Sequence, residues 1–312
     1  MLKAAILVLA FVFIYRRIDN NQNLKQFQAL IAGIDHNRAW FVMSCVMLLM
    51  LVNWVTEALK WKYITRELAN ITTWQAIEAV FCGLTWAVFT PNRIGEYGGR
   101  VMFLPNRKRI HGVFAMAVGS FGQNVITNVL GLTALIWFAF TFLHLNIALS
   151  LAFALAAFGF VSLLVIFYFN IGWLVTLLNR IKFLKKYHRF FDILGRYHTR
   201  ELLNIMWFCL SRFFVFSFQY FLVIHLLMPG MQVFPMMMMV FILFFIQSAL
   251  PSLDLLDVGV RSMTASTFFA YITNENIAVM AAVSSIWFIN LIIPAILGSV
   301  FVFKLRFFDR VA

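Results

Sequence analysis

Thr90-Pro91-Asn92-Arg93-Ile94-Gly95-Glu96 cuts one apolar region, 74–105, in two, and Pro251-Ser252-Leu253-Asp254-Leu255-Leu256-Asp257 cuts a second, 235–273, in the same way. A spanning helix needs about 20 consecutive, mostly apolar residues, and each half of these regions is too short. Both are therefore expected to be re-entrant helical hairpins. Broken backbone at membrane depth is tolerated only where protein or a water-filled cavity surrounds it, so the two breaks mark the expected site.

Outward from the breaks, uninterrupted apolar runs cover 2–15 (short for a span), 39–59, 112–142, 146–170, 202–228 and 277–303. The expected fold is an all-α polytopic membrane protein of about six spanning helices plus two hairpins, in one transmembrane domain, 1–312. Within it, 1–38 reads as an N-terminal anchor and interfacial segment, retained because no small-residue cleavage site follows the apolar run. Residues 39–142 read as repeat 1 with hairpin 74–105. Residues 143–201 read as a linking span and basic cytoplasmic loop, and 202–303 as repeat 2 with hairpin 235–273.

Composition agrees with that class. Of 312 residues, 63% are apolar and 12% charged, and no stretch outside the apolar runs is long enough for an independent core, so no folded extramembrane domain is expected. The net charge of +13 does not point to nucleic acid, because the basic residues sit in short gaps between apolar runs, where cytoplasmic loops collect them. Cys45, Cys82 and Cys209 lie inside apolar segments without metal-ligand spacing, so neither a disulfide framework nor a metal site is implied. No phosphate loop, H-E-x-x-H or G-x-S-x-G occurs, and no catalytic residue or cofactor is expected.

Orientation follows from the loop cations. Loops 60–75 (Lys60, Lys62, Arg66), 100–111 (Arg100, Arg107, Lys108, Arg109) and 171–201, with seven Lys and Arg, belong inside with the C-terminal tail. Linkers 143–147 and 229–234 have none and belong outside, as does the basic-free stretch Thr273–Asn276. The first hairpin then starts and ends inside and the second outside. Residues 16–38 are basic although alternation places them outside, and read as interfacial. Both termini are expected in the cytoplasm of a cell with this protein in its plasma (inner) membrane.

Span, hairpin and span fill 39–142 and again 202–303, in reversed direction. That is the pattern of an inverted repeat. Glu96-Tyr97-Gly98-Gly99-Arg100 starts five residues after Pro91, and Asp257-Val258-Gly259-Val260-Arg261 six after Pro251. Proline would end each entering half-helix, while Gly95, Gly98, Gly99 and Gly259 would allow the turn and close approach. The returning half-helix would present its N-terminus, and Arg93, Arg100 and Arg261 would add cationic forks suited to phosphate. Glu96, Asp254 and Asp257 would balance them, hold a cationic head group or take a proton.

A plainer reading stands beside this one. Glu96 and Arg100, like Asp257 and Arg261, are spaced i, i+4 and can simply neutralise each other. Glu57 and Arg212 are candidates for a structural pair or for substrate contact. Arg93 and Asp254 show no such local partner. Gln123, Asn124, Thr127 and Asn128 form one polar helix face, expected to meet the first hairpin through interhelical hydrogen bonds. Met236–Met239 read as packing or lipid-facing positions, and His188 and His198 as parts of the basic interfacial loop.

Thr90-Pro91-x-Arg93-Ile94-Gly95-Glu96 with Arg100, followed in the second half by Pro251 and Gly259-Val260-Arg261, resembles the lysylphosphatidylglycerol synthase transmembrane region, or flippase-like domain family. The resemblance covers about 20–305. It implies an integral inner-membrane protein that moves a lipid between leaflets. The family's aminoacyltransferase domain is not part of this sequence, so synthase activity is not carried over. Asn92 stands where the motif commonly has Gly, Asp257 where the second motif usually has Gly, and Ser262 in place of an acid, so a different head group is expected. The resulting expectation is translocation of a phosphate-bearing lipid, whether a phospholipid, aminoacyl-phospholipid, glycolipid or polyprenyl-linked lipid. The alternatives are a membrane-embedded head-group transferase and a noncatalytic partner of a lipid-synthesis enzyme. Membrane lipids with an anionic head group are the expected partners, and a second copy of the chain is left open.

Overall fold

The computed structural model describes residues 34–180, 192–250 and 258–304. Its regular elements are helices: α1 (His36–Thr65), α2 (Thr73–Ala87), α3 (Ile94–Val101), α4 (Arg109–Phe142), α5 (Ile147–Phe169), α6 (Gly172–Arg180), α7 (Thr199–Leu227), α8 (Val233–Ala249), α9 (Val258–Phe269), α10 (Asn276–Trp287) and α11 (Ile293–Lys304). No strand occurs among the described residues. Five stretches are long and apolar enough to cross a membrane: His36–Thr65, Asn106–Phe142, Ile147–Phe169, Thr199–Leu227 and Asn276–Val302. They coincide with five of the six expected spans. The sixth, 2–15, lies outside the described residues.

The helix starts follow local chemistry. Asp35 caps α1 by accepting from the Asn37 N–H at 3.2 Å. Thr72 and Gln75 bond reciprocally to each other's backbone N–H at the start of α2, a capping box that satisfies two otherwise orphaned donors. Asn146 caps α5.

The core is a seam between antiparallel α1 and α7, flanked by α4 and α10. Val46, Met50, Trp54, Ala58 and Trp61 bury one stripe of α1 against Ile205, Cys209, Phe213, Tyr220 and Ile224 of α7. That stripe carries α1 past the expected boundary at 59. Lys60 and Lys62, read from sequence as loop cations, are therefore helical, as is Arg100 in α3. Helix α2 packs on α3 and α11, and α8 packs on α9 and α4. Met236 and Met239 of α8 are fully buried. Helix α5 lies at the edge, with 11% of its apolar window buried.

The first break is built differently from the expectation. Helix α2 ends at Ala87, four residues before Pro91. Thr90 is extended, as the residue before proline is pressed to be. The left-handed turn falls on Asn92 (φ 49°) and Arg93 (φ 58°), not on a glycine. Asn tolerates this region better than most side chains, which explains how it occupies a position where the resembled motif commonly has Gly.

Gly95, Gly98 and Gly99 are helical, and of the two expected roles Gly95 and Gly99 fill the close approach and not the turn. A Cβ on Gly99 would lie 2.6 Å from Gly83 Cα, and one on Gly95 would lie 2.4 Å from the Trp86 carbonyl oxygen. The backbones of α2 and α3 thus touch without intervening side chains. Gly259 lies in the first turn of α9. Pro251 lies outside the described residues.

The last span contains a wide π turn, Phe288–Ile292, just before Pro294. Proline supplies no N–H and crowds the carbonyl four residues back, and a widened turn accommodates both effects. Asn290 returns its side-chain amide to the Ile286 carbonyl at 3.2 Å.

Gly99→Ala should lower stability by about 1–3 kcal/mol, the usual cost of forcing extra atoms into a packed contact. Gly98→Ala should be nearly neutral, because its Cβ would rest 3.5 Å from the Trp86 ring. Thermal unfolding of the two variants in one detergent checks the contrast.

Candidate functional site

Asn53, Glu57 and Lys60 follow one another at i, i+4 and i+7 on α1, so they share a face, and all three are buried. Arg212 of α7 projects onto that face. Its Nε donates to Asn53 Oδ1 at 3.0 Å and its Nη1 donates to Glu57. Lys60 Nζ reaches the same carboxylate at 2.7 Å. The third cation is Arg100 of α3, whose Nη1 donates to Glu57 Oε1 at 2.5 Å. One carboxylate therefore joins three cations from three helices.

The α2–α3 contact sets the position of Arg100. Gly83 leaves so little room that a Cβ there would lie 3.0 Å from Arg100 Cγ, and Arg100 is only 2% exposed. Its Nη2 donates to Glu96 one turn earlier. Arg93 Nε lies 3.0 Å from the other Glu96 oxygen. Arg93, for which the sequence shows no i+4 acid, thus pairs at i+3, because the left-handed turn swings it toward Glu96. Its side chain is 36% exposed.

The N-terminus of α3 was expected to be open to an anion. Thr90 Oγ1 instead accepts the Gly95 N–H at 2.7 Å, while its hydroxyl lies within bonding distance of the Trp86 and Ala87 carbonyls. Glu96 places a carboxylate in the first turn, where the helix dipole favours it. The chain's own oxygens thus take part of that place.

Among the described residues, Lys60, Arg100 and Arg212 share Glu57, while Arg93 and Arg100 share Glu96. The Nε of Arg100 is buried and has no hydrogen-bond acceptor among the described residues. Trp54 faces the Arg212 guanidinium, 5.2 Å from the ring centroid, a favourable cation–π contact. Lys60 Nζ is also 3.9 Å from Cys209 Sγ, which in turn lies 3.6 Å from the Gly119 carbonyl oxygen.

The second motif stands apart. Arg261 Nη1 donates to Gln247 Oε1 at 2.9 Å, linking α9 to α8, and Ser262 meets Ser284 of α10 at 3.2 Å. Asp254 and Asp257 lie outside the described residues. On α4, Ser120 accepts from the Tyr97 hydroxyl of α3 at 3.1 Å. Asn128 on the same polar stripe turns back to the Asn124 carbonyl. Sequence reading treated Lys60 as a loop cation and gave Asn53 no role. A span with Asn, Glu and Lys at i, i+4 and i+7 was the signal that would have found them.

At one end of the bundle, Arg66 pairs with Glu201, which also accepts the His198 N–H at 2.9 Å at the start of α7. Tyr197 donates to the Ile64 carbonyl at 3.0 Å. Burial, reinforced by Glu67 and Glu201, raises its hydroxyl above the ordinary tyrosine range, so it stays a donor. His188 lies outside the described residues.

A cavity near both breaks was expected. One cleft among the described residues, about 1190 Å³, lies at the junctions of α7 with α8 and of α9 with α10. A smaller groove of about 310 Å³ runs beside Val258, at the start of α9. No group of His, Cys, Asp and Glu among the described residues could hold a metal. Comparison with family models, with characterised proteins and with solved structures finds no match.

Glu57→Gln should destabilise the protein by about 3–5 kcal/mol, because three cations lose their shared partner inside the bundle. Arg66→Gln should cost no more than ~1 kcal/mol, since that pair is solvent-exposed on the Arg66 side. Melting of both variants in detergent measures the difference.

Proposed function

We propose that this protein is a flippase-like lipid translocator that passes a phosphate-bearing lipid between leaflets, using the Glu57-centred cluster as its anion station. The observation that carries the reading is the gathering of Lys60, Arg100 and Arg212 on one buried carboxylate, Glu57. Arginine presents a planar fork that matches phosphate oxygens. Counted along the helices, Glu57 lies about 12 Å and Arg212 about 20 Å from the ends joined by Arg66 and Glu201. That places the cluster well inside an apolar layer about 30 Å thick. Cations at such depth are costly and usually serve an ion or substrate path.

The cluster is at present occupied by Glu57 and Glu96, so a phosphate would compete with carboxylates instead of filling an empty hole. Arg93, the most exposed of the four cations, would make first contact. Arg100 and Arg212 would follow as Glu96 and Glu57 give way. Such exchange keeps the number of buried unpaired charges low throughout, which keeps the barrier low.

Packing supports the inverted-repeat reading. Each short helical pair leans on the last span of the other half: α2 on α11, and α8 on α4. That reciprocity is what two interlocked inverted repeats require. With α2–α3 and α8–α9 as re-entrant hairpins, the Arg66–Glu201 end is cytoplasmic, as are both termini, in the plasma (inner) membrane. The likeness to the flippase-like domain family rests on Thr90 to Arg100 and on Gly259-Val260-Arg261, and favours a translocator over a transferase.

In liposomes reconstituted with the purified protein, fluorescent phosphatidylglycerol should exchange leaflets. Arg93→Gln should slow exchange by about tenfold or more, equivalent to ~1.4 kcal/mol, with melting unchanged. Normal exchange with Arg93→Gln, or none with the parent protein, would count against the reading. An impermeant thiol reagent should label a cysteine placed at position 274 in intact cells and leave one at position 107 unlabelled.

A further inference from the structure

The large cleft at the other end of the bundle has its own chemistry. Its floor is the α9–α10 turn, Thr273 to Asn276, with Gln232 opposite. Its polar lining is three amides, one hydroxyl and Glu275, the one ionisable side chain among the described residues that line it. The remaining wall is apolar, with Met228, Met231 and Phe142. Phe142 packs against Tyr271 with ring centroids 5.5 Å apart, and against Phe138 at 5.3 Å. The turn holds its own shape, since Thr273 Oγ1 accepts the Glu275 N–H at 3.1 Å and Ser266 bonds Asn276 at 3.2 Å.

We infer that this cleft binds the uncharged, hydroxyl-rich sugar of a glycosyl lipid head group. Asn, Gln and Thr side chains offer donors and acceptors side by side, as sugar hydroxyls do, and a carboxylate accepts from two hydroxyls at once. No Lys or Arg is among the described residues that line the cleft, so a phosphate placed there would meet Glu275 and no counter-charge from them. The volume suits one or two sugar rings. The aromatic group around Phe142 supplies an apolar face for a ring, and the methionines an adaptable seat for the adjoining chain.

Met228 and Arg212 are about 24 Å apart along α7, so one head group cannot touch the cleft and the ionic cluster at once. They are successive stations, with phosphate held at one and sugar at the other. This narrowing of the cargo to a glycosyl lipid rests on the translocation reading, whereas binding in the cleft does not.

The test uses the full-length protein in phosphatidylcholine nanodiscs. Three probes carry the same acyl-chain diazirine on a monoglucosyl, a phosphatidylethanolamine or a phosphatidylglycerol head. After photolysis, peptide mass spectrometry should find the glucosyl probe on 227–232 and 271–277 at about five times the yield of the other two, equivalent to ~1 kcal/mol of preference. Asn274→Ala with Glu275→Ala, and separately Gln232→Ala, should lower that yield severalfold with melting unchanged. Equal labelling by all three probes, preference for the amine or the anionic head, absence of labelling at these peptides, or variants that label like the parent would each overturn the assignment. Loss of leaflet exchange with glucosyl labelling intact would count against transport alone.

Discussion

Glu57 gathers Lys60, Arg100 and Arg212 in an interior where none of the four would persist alone. The carboxylate's attraction offsets the cost of removing three cations from water, and the cations offset the cost of burying the carboxylate. Because the three cations come from α1, α3 and α7, the same interaction ties the short α3 to the central α1–α7 seam. Cations buried at such depth usually serve an ion or substrate path, which is the physical basis for the proposed anion station.

The cluster depends in turn on backbone geometry at the first break. Thr90 ties the end of α2 to the start of α3, Asn92 and Arg93 turn the chain in the left-handed region, and Gly83 and Gly99 let the two helices touch. Only that close approach carries Arg100 to Glu57. Two consecutive non-glycine residues in the left-handed region cost of order 1–3 kcal/mol each, and such strain persists where surrounding contacts hold it. Here those contacts are the hydrogen bonds of Thr90 to Gly95, Trp86 and Ala87.

The two polar places in the bundle differ in kind. One is buried, cationic and built from interlocked helices, while the other is open, nearly neutral and built on helix junctions. A lipid whose head group joins phosphate to sugar would present each place with the chemistry it suits, in turn. The apolar face of α5 and the row of exposed Leu and Phe along it would meet acyl chains throughout.

The apolar pattern of the sequence determined the helical class, five of the spans to within a few residues, and the interruption at Pro91, because these follow from local hydropathy and from what proline does to a backbone. The i, i+4 spacing of Glu96 and Arg100 likewise made their pairing readable. The close approach expected of Gly95 and Gly99 is present, but the turn falls on Asn92 and Arg93 instead of on a glycine. What only the tertiary structure decided is the meeting of Glu57 with Arg100, 43 positions away, and with Arg212, 155 positions away. Periodicity along one helix says which face a charge shares, but which helix lies opposite depends on how the whole chain packs. The loop-like look of Lys60 misled for the same reason, since a lysine after an apolar run looks like a span's end until a partner from another helix draws it inside.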